Sequence, residues 1–348
     1  MMIGWLFYMC RSAVVGGIIF GYNKPKQNEE RKWKMAQKKV LVMIPMTQRQ
    51  KERLEQALPG AEYTYASIEE ATEEQIQQAE IIFGNAPVNK IQCSEKLVWL
   101  HLNSAGYDPY VKEGILGRHT VLTTSSGAYG KAVSEHLFSM LLAMQKKLHL
   151  YRDDQKRHVW GEEGEVVSIT DSTILILGAG DIGRHFAEQA HALGAYVIGV
   201  KRSPGECPPC MDELHTTEEL SSLLPKADVV VSFLPSTDET RGLFNQKMFA
   251  LMRPGSFFVN GGRGDLVHTE ALCDALESGH LAGAALDVTD PEPLPEDHRL
   301  WDIPNAFVTP HVSGFYHLPE TLRNVVDIAI ENAGKYAAGE PLRNVVRR

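Results

Sequence analysis

Apolar residues fall in short runs separated by polar, amphipathic stretches, and the alternation lays out elements along most of the chain. Residues 40–44 read as a strand and 48–58 as a charged helix. Residues 63–66 read as a second strand, and 67–78 as a polar helix with Ser67 as its N-cap. Further strands are predicted at 81–82, 97–102 and 121–123. The period then lengthens to 3.6: Val133, Leu137, Met140, Leu141 and Met144 share one face, which predicts the longest helix of the chain over residues 130–151. A helix of that length joins two units.

The second unit opens on residues 173–186, TILILGAGDIGRHF: an apolar run, a turn on three glycines, then a helical pattern over 184–193. Strands are predicted at 196–200, 229–233, 256–259, 282–286 and 306–308, which makes six with the opening run. Helices at 245–252 and 269–278, the latter N-capped by Thr269, lie between them. Strands that alternate with helices form parallel sheets covered on both faces, so the fold class is α/β with two doubly wound sheets.

The glycines give the second unit its chemistry. Gly178 permits the tight turn out of the strand, Gly180 lets a pyrophosphate approach bare backbone, and Gly183 lets the helix pack close to the sheet. The helix N-terminus offers N–H groups and a positive dipole end to the phosphates. Gly178, Gly180, Asp181, Ile182 and Gly183 are therefore candidates for dinucleotide binding. The first unit has no such fingerprint. Its turn at 103–108, NSAGYD, follows a parallel strand and reads equally as an anion site of backbone N–H groups or as an ordinary turn.

Composition narrows the rest. At 348 residues there is room for two domains, and 43% apolar residues suffice for real cores. A net charge of -9 argues against a nucleic-acid partner. The five cysteines are scattered, which fits a reducing compartment better than a disulfide framework. Cys207 and Cys210 lack the further ligands that zinc needs, so no metal is expected. Residues 1–34 differ in character from the remainder of the chain. Residues 3–22 form an apolar run long enough to span a bilayer, followed by a basic flank. The expectation is that 1–34 stand outside the fold, with a natural start at Met35 and a cytoplasmic protein; if they are retained, residues 3–22 would anchor the chain to a membrane.

The polar residues at the strand ends point to a reaction. Arg263 follows one strand, Asp287 and Glu292 the next, and His311 the last. In a parallel sheet these ends share one edge with the fingerprint. An arginine can fork onto a carboxylate and polarise a neighbouring carbonyl. A histidine can give a proton to a developing alkoxide, and a carboxylate beside it stabilises the imidazolium. That set suits hydride transfer between a dinucleotide and a 2-oxo acid. His101, His136 and His268 do not share this convergence.

The stretches LGAGDIG, NGGRGDLVHTEAL, GAALDVTDPEPLPEDHRLW and TPHVSG, in this order and separation, resemble the D-isomer-specific 2-hydroxyacid dehydrogenase family. The resemblance runs from about Met35 to the C-terminus. It implies a Rossmann dinucleotide-binding domain, residues 134–315, inserted in a flavodoxin-like substrate domain, residues 35–133 and 316–348, and a homodimer. It also implies that Arg263 binds the substrate and that His311, paired with Glu292, is the acid/base. Ser104, Ala105 and Gly106 would meet the substrate carboxylate. Leu234 and Pro235 would line the adenosine side, Asp287 would touch the nicotinamide end, and Gly262 would belong to the cofactor set.

Two departures matter. NAD-dependent members carry an aspartate at the end of the second nucleotide-domain strand, where this chain reads Lys201-Arg202-Ser203. The basic pair would attract a 2′-phosphate, so NADP(H) is expected ahead of NAD(H), which stays possible. Phe315-Tyr316-His317 stands where many members have small residues and a threonine, which leaves substrate preference open. The expected activity is reduction of a small 2-oxo acid of the glyoxylate or hydroxypyruvate type. The alternatives are a nucleotide-sensing, corepressor-like binding protein and a phosphoglycerate dehydrogenase. Formate dehydrogenases normally carry glutamine at the position of Glu292, which argues against that activity.

Overall fold

A computed structural model describes residues 38–348; the expectations for residues 1–34 lie outside the described residues. The chain forms two parallel sheets. The first contains β1 (Lys39–Val42), β2 (Glu62–Tyr65), β3 (Ile81–Phe83), β4 (Trp99–His101) and β5 (Val121–Thr123), in the order β2-β1-β3-β4-β5. The second contains β6 (Thr173–Leu177), β7 (Tyr196–Lys201), β8 (Glu213–Thr216), β9 (Val229–Ser232), β10 (Ser256–Asn260), β11 (Leu281–Leu286) and β12 (Ala306–Val308). Its order is β12-β11-β10-β9-β6-β7-β8. The first is the flavodoxin-like order and the second the Rossmann order with one further strand.

Side-chain alternation explains why both faces of each sheet are covered. In β1, Val40 and Val42 join a core with Leu54 and Val325, while Leu41 faces Ile76 and Leu100. In β6, Ile174 and Ile176 join the first of these cores, whereas Leu175 and Leu177 pack with Phe258 and Leu272. Strands buried on both faces read as continuous apolar runs, which is why they were visible in the sequence.

The helices that matter for the site are α1 (Gln48–Ala57), α2 (Glu73–Gln78), α3 (Gly130–Gln145), α4 (Leu148–Arg157), α5 (Asp181–Ala192), α6 (Gln246–Leu251), α7 (Thr269–Glu277) and α8 (Pro319–Ala338). α8 packs on α1, Tyr336 stacks on Trp99, and Thr123 bridges Val345, so the C-terminal segment returns to the first sheet. Among the described residues, no helix is long and apolar enough to cross a membrane.

Several sequence expectations need correction. The helix expected over 67–78 is only α2. Thr72 and Gln75 form a capping box that starts it late, while the Ser67 Oγ accepts the Glu70 N–H within a preceding turn. The helix expected over 130–151 is two, because Lys147 adopts a left-handed conformation (φ 56°) between α3 and α4. Among the described residues the longest helix is instead α8, with 20 residues. Thr269 does not cap α7; its hydroxyl donates to the Asp290 carbonyl and His268 holds the N-cap position. α5 begins at Asp181, three residues before the expected start. The second sheet has seven strands rather than six. β8 was missed because Glu-Leu-His-Thr carries a single aliphatic residue and forms a half-exposed edge.

Candidate active site

The C-terminal ends of the parallel strands, the edge where such sheets bind ligands, open into a cleft of about 310 Å³. One wall carries Gly178, Gly180, Asp181, Ile182, Gly183, Leu234, Pro235, Gly262 and Arg263. The other carries Ala105, Gly106, Asp108 and Tyr129. Residues from both sheets therefore meet in one cavity.

The fingerprint behaves as its glycines require. Gly178 has φ 96° and donates its N–H to the Val200 carbonyl, which ties the turn to the end of β7. A Cβ on Gly183 would lie 2.2 Å from the Gly178 carbonyl oxygen, so only glycine lets α5 start this close to β6. A Cβ on Gly180 would meet nothing within 4 Å, because it would point into the open cleft. The first backbone bond into α5 runs from Arg184 N–H to the Gly180 carbonyl. The N–H groups of Asp181, Ile182 and Gly183 have no acceptor among the described residues. Free donors around an open space suit a pyrophosphate.

Lys201 ends β7, one strand from the fingerprint, Arg202 follows it, and neither makes an ion pair among the described residues. Lys201 is half-buried, and Arg202 and Ser203 are exposed. None of the three lines the cleft.

The turn at 103–106 is held from several sides. The Asn103 N–H donates to Asn85 Oδ1 at 3.1 Å, and the Ser125 N–H donates to the Ser104 carbonyl at 3.0 Å. Tyr129 donates to the Asn103 carbonyl, and Asn103 Nδ2 donates to the Tyr316 hydroxyl at 2.6 Å. The N–H groups of Ser104, Ala105 and Gly106 have no acceptor among the described residues, which favours the anion-site reading of this turn. Tyr316 is half-buried against this turn, while Phe315 points outward. Burial pushes the Tyr316 hydroxyl above its ordinary pKa. Beneath the turn, His101 is fully buried against Thr123 and Ser125, and burial depresses its pKa to about 3. It is a neutral structural histidine.

Arg263 reaches across the cleft. Its Nε and Nη2 both donate to Asp108 Oδ2 at 3.1 Å, and its Nη1 donates to the Gly262 carbonyl at 2.8 Å. Asn260, buried at the end of β10, braces the loop by donating to the Arg263 carbonyl and accepting from the Gly262 N–H.

His311 and Glu292 form a pair, with Nδ1 to Oε1 at 2.7 Å. Both are about half exposed, and they stand beside the cavity rather than in its lining. His311 has a left-handed backbone (φ 51°), which costs energy for a residue with a side chain. Asp287 fixes that shape. The His311 N–H donates to the Asp287 carbonyl at 2.7 Å. The Asp287 carboxylate accepts from Thr309 Oγ1 at 2.6 Å, from the N–H groups of Val312 and Ser313, and from the Ser313 hydroxyl. His136 braces the same loop through Thr309 Oγ1 at 3.0 Å. With 1% exposure and both oxygens engaged, Asp287 anchors the loop from behind and is not part of the cleft lining.

The sequence reading overlooked Asp108, Asn260 and Tyr129. Asn260 carried a signal, since a polar residue at the buried end of an apolar strand must find partners.

The comparisons agree with this geometry. Residues 138–313 match the family model described as the D-isomer specific 2-hydroxyacid dehydrogenase, NAD binding domain. Glyoxylate/hydroxypyruvate reductase B of Klebsiella pneumoniae subsp. pneumoniae is 29% identical over 282 residues, covering 78% of this chain and 86% of that one. The crystal structure of a D-isomer specific 2-hydroxyacid dehydrogenase family protein from Aeromonas salmonicida subsp. salmonicida superposes with a TM-score of 0.77 at 32% identity, covering 89% of this chain and 99% of that one. An NADPH-dependent glyoxylate/hydroxypyruvate reductase from Sinorhizobium meliloti, solved with NADP and sulfate, gives 0.75 at 26% identity, covering 89% and 98%. Sheet orders, fingerprint and sequence match together establish that the chain belongs to the D-isomer specific 2-hydroxyacid dehydrogenase family.

Proposed function

We propose that this dehydrogenase reduces a small 2-oxo acid of the glyoxylate or hydroxypyruvate type to the D-2-hydroxy acid, with NADPH preferred and NADH possible. The observation that carries the reading is the 2.7 Å His311–Glu292 pair past the ends of β11 and β12, on the same sheet edge as a cleft that holds Arg263 and the free N–H groups of Ala105 and Gly106.

The substrate carboxylate is received by those N–H groups and by the guanidinium of Arg263, which also draws electron density from the adjacent carbonyl. Glu292 engages His311 Nδ1, which leaves Nε2 to give its proton to the carbonyl oxygen as it becomes a hydroxyl. Gly180, the N–H groups of Asp181, Ile182 and Gly183, and the side chains of Leu234 and Pro235 would hold the dinucleotide. The nicotinamide supplies the hydride when bound. Asp287 keeps His311 in place from behind.

Lys201 and Arg202, cationic and without an ion pair among the described residues, support the NADP(H) preference. So do the NADP in the Sinorhizobium enzyme and the NADPH in a dehydrogenase from Xanthobacter autotrophicus. A homodimer is supported by exposed apolar side chains around α4, where Leu148, Val159, Trp160 and Val166 stand clear of the protomer. The experiment is a panel of 2-oxo acids with NADPH and NADH side by side, run on the wild type and on Arg263→Ala. At least tenfold higher kcat/KM with NADPH is expected, about the worth of one phosphate contact, together with loss of turnover in Arg263→Ala. Equal efficiency with both cofactors refutes the preference. Normal turnover by Arg263→Ala refutes the mechanism.

A further inference from the structure

Arg263 is the one cation among the residues lining the cleft, and it is not free. Its guanidinium has five N–H donors. Nε and one N–H of Nη2 share Asp108 Oδ2, and one N–H of Nη1 goes to the Gly262 carbonyl. A single acceptor shared by Nε and Nη2 lies on that edge of the plane, so one donor on each of Nη1 and Nη2 remains. These two are left for a carboxylate. The guanidinium also presses on Gly106, where a Cβ would come within 1.9 Å of Nη2. Asp108 thus fixes the position and tilt of the guanidinium.

Its charge has a second effect. Asp108 and Arg263 line the same cavity and cancel, Asp181 leaves the lining with one further negative charge, and the attraction for an anion comes from the remaining Arg263 donors and the backbone N–H groups of Ala105 and Gly106. That suffices for one carboxylate. A second anionic group on the substrate would meet the carboxylates of Asp108 and Asp181, while the Arg343 guanidinium, against Gly127, lies outside the lining.

We propose that Asp108 is the positioning residue of Arg263 and the charge filter of the site, restricting it to monocarboxylic 2-oxo acids and rejecting dicarboxylic or phosphorylated ones. The proposal rests on the substrate role given to Arg263 above and names the substrate class that this role entails.

The test uses oxamate and oxalate, two analogues of nearly the same shape that carry one and two negative charges. Their dissociation constants are measured by calorimetry on the full chain saturated with NADPH, for the wild type, Asp108→Asn and Arg263→Ala. The wild type binds oxamate more tightly. Asp108→Asn shifts the oxalate-to-oxamate preference toward oxalate by about tenfold, the effect of one charge through partly screened solvent, with NADPH affinity unchanged within about twofold. A fold defect would weaken both analogues and NADPH alike, so the ratio separates selection from structural damage. In turnover, Asp108→Ala lowers kcat for hydroxypyruvate and Asp108→Asn recovers part of it, because the amide oxygen still accepts from Nε and Nη2. An unchanged oxalate-to-oxamate ratio in Asp108→Asn overturns the proposal. Undiminished oxamate binding by Arg263→Ala overturns instead the role assigned to Arg263.

Discussion

Replacing Asp287 by asparagine separates two accounts of that residue. The family resemblance makes it a contact for the nicotinamide end; the structure makes it the buried anchor of the His311 loop. One carboxylate oxygen accepts from Thr309 Oγ1 and the Val312 N–H, the other from the Ser313 N–H and hydroxyl. An amide keeps one acceptor and turns the other into a donor. The hydroxyl facing the new NH2 can rotate to accept, but the backbone N–H beside it cannot. Either amide orientation therefore strands one buried N–H, at about 1–3 kcal/mol, and the remaining bonds lose their charge assistance. A total of about 2–4 kcal/mol is expected, which is a fall of roughly 5–15 °C in Tm for a domain of this size. Scanning calorimetry reads that fall, while fluorescence titration reads NADPH affinity and a 340 nm assay reads kcat. The anchor account expects lower Tm and kcat with NADPH affinity unchanged within about twofold. A Tm within about 1 °C of wild type together with markedly weaker NADPH binding would falsify it and restore the cofactor contact.

Other consequences attach to single positions. Gly180→Ala keeps the wild-type Tm but weakens NADPH, because its Cβ enters open cleft. Gly183→Ala lowers Tm as well, because its Cβ meets the Gly178 carbonyl at 2.2 Å; equal Tm values would refute the packing argument. Lys201→Ala with Arg202→Ala raises the KM for NADPH by about tenfold or more and leaves that for NADH in place, as loss of two phosphate contacts requires; steady-state kinetics with both cofactors checks it. His101 ties stability to acid. Its folded pKa of about 3 lies below the ordinary 6.5, so its contribution is complete above 6.5 and is lost as pH falls from there toward 3. The unfolding free energy from urea titrations falls over that window by up to about 1.4 kcal/mol per pH unit, and His101→Asn flattens the fall.

The legibility of the sequence reflects what burial does to composition. β1, β6 and β9 are buried on both faces, so they read as unbroken apolar runs, and the glycine spacing after β6 is dictated by backbone contact. The placement of Arg263, Glu292 and His311 past successive strand ends was legible because parallel strands put their ends on one edge, and their roles are the proposal made above. β8 was not, since an edge strand needs little apolar surface. The break at Lys147 was not either, because the apolar face of α3 continues past it through Leu148. The role of Asp108 depends on its pairing with a residue 155 positions away, which no local pattern carries.

The most direct test of the account is the rate of NADPH oxidation with hydroxypyruvate by the wild type and by His311→Gln, with the product resolved by chiral chromatography. The account predicts the D-hydroxy acid from the wild type, and a kcat lower by about 10²–10⁴-fold in His311→Gln, the usual worth of a general acid, with NADPH still bound. Turnover by His311→Gln within about twofold of wild type, or an L-product, would contradict it.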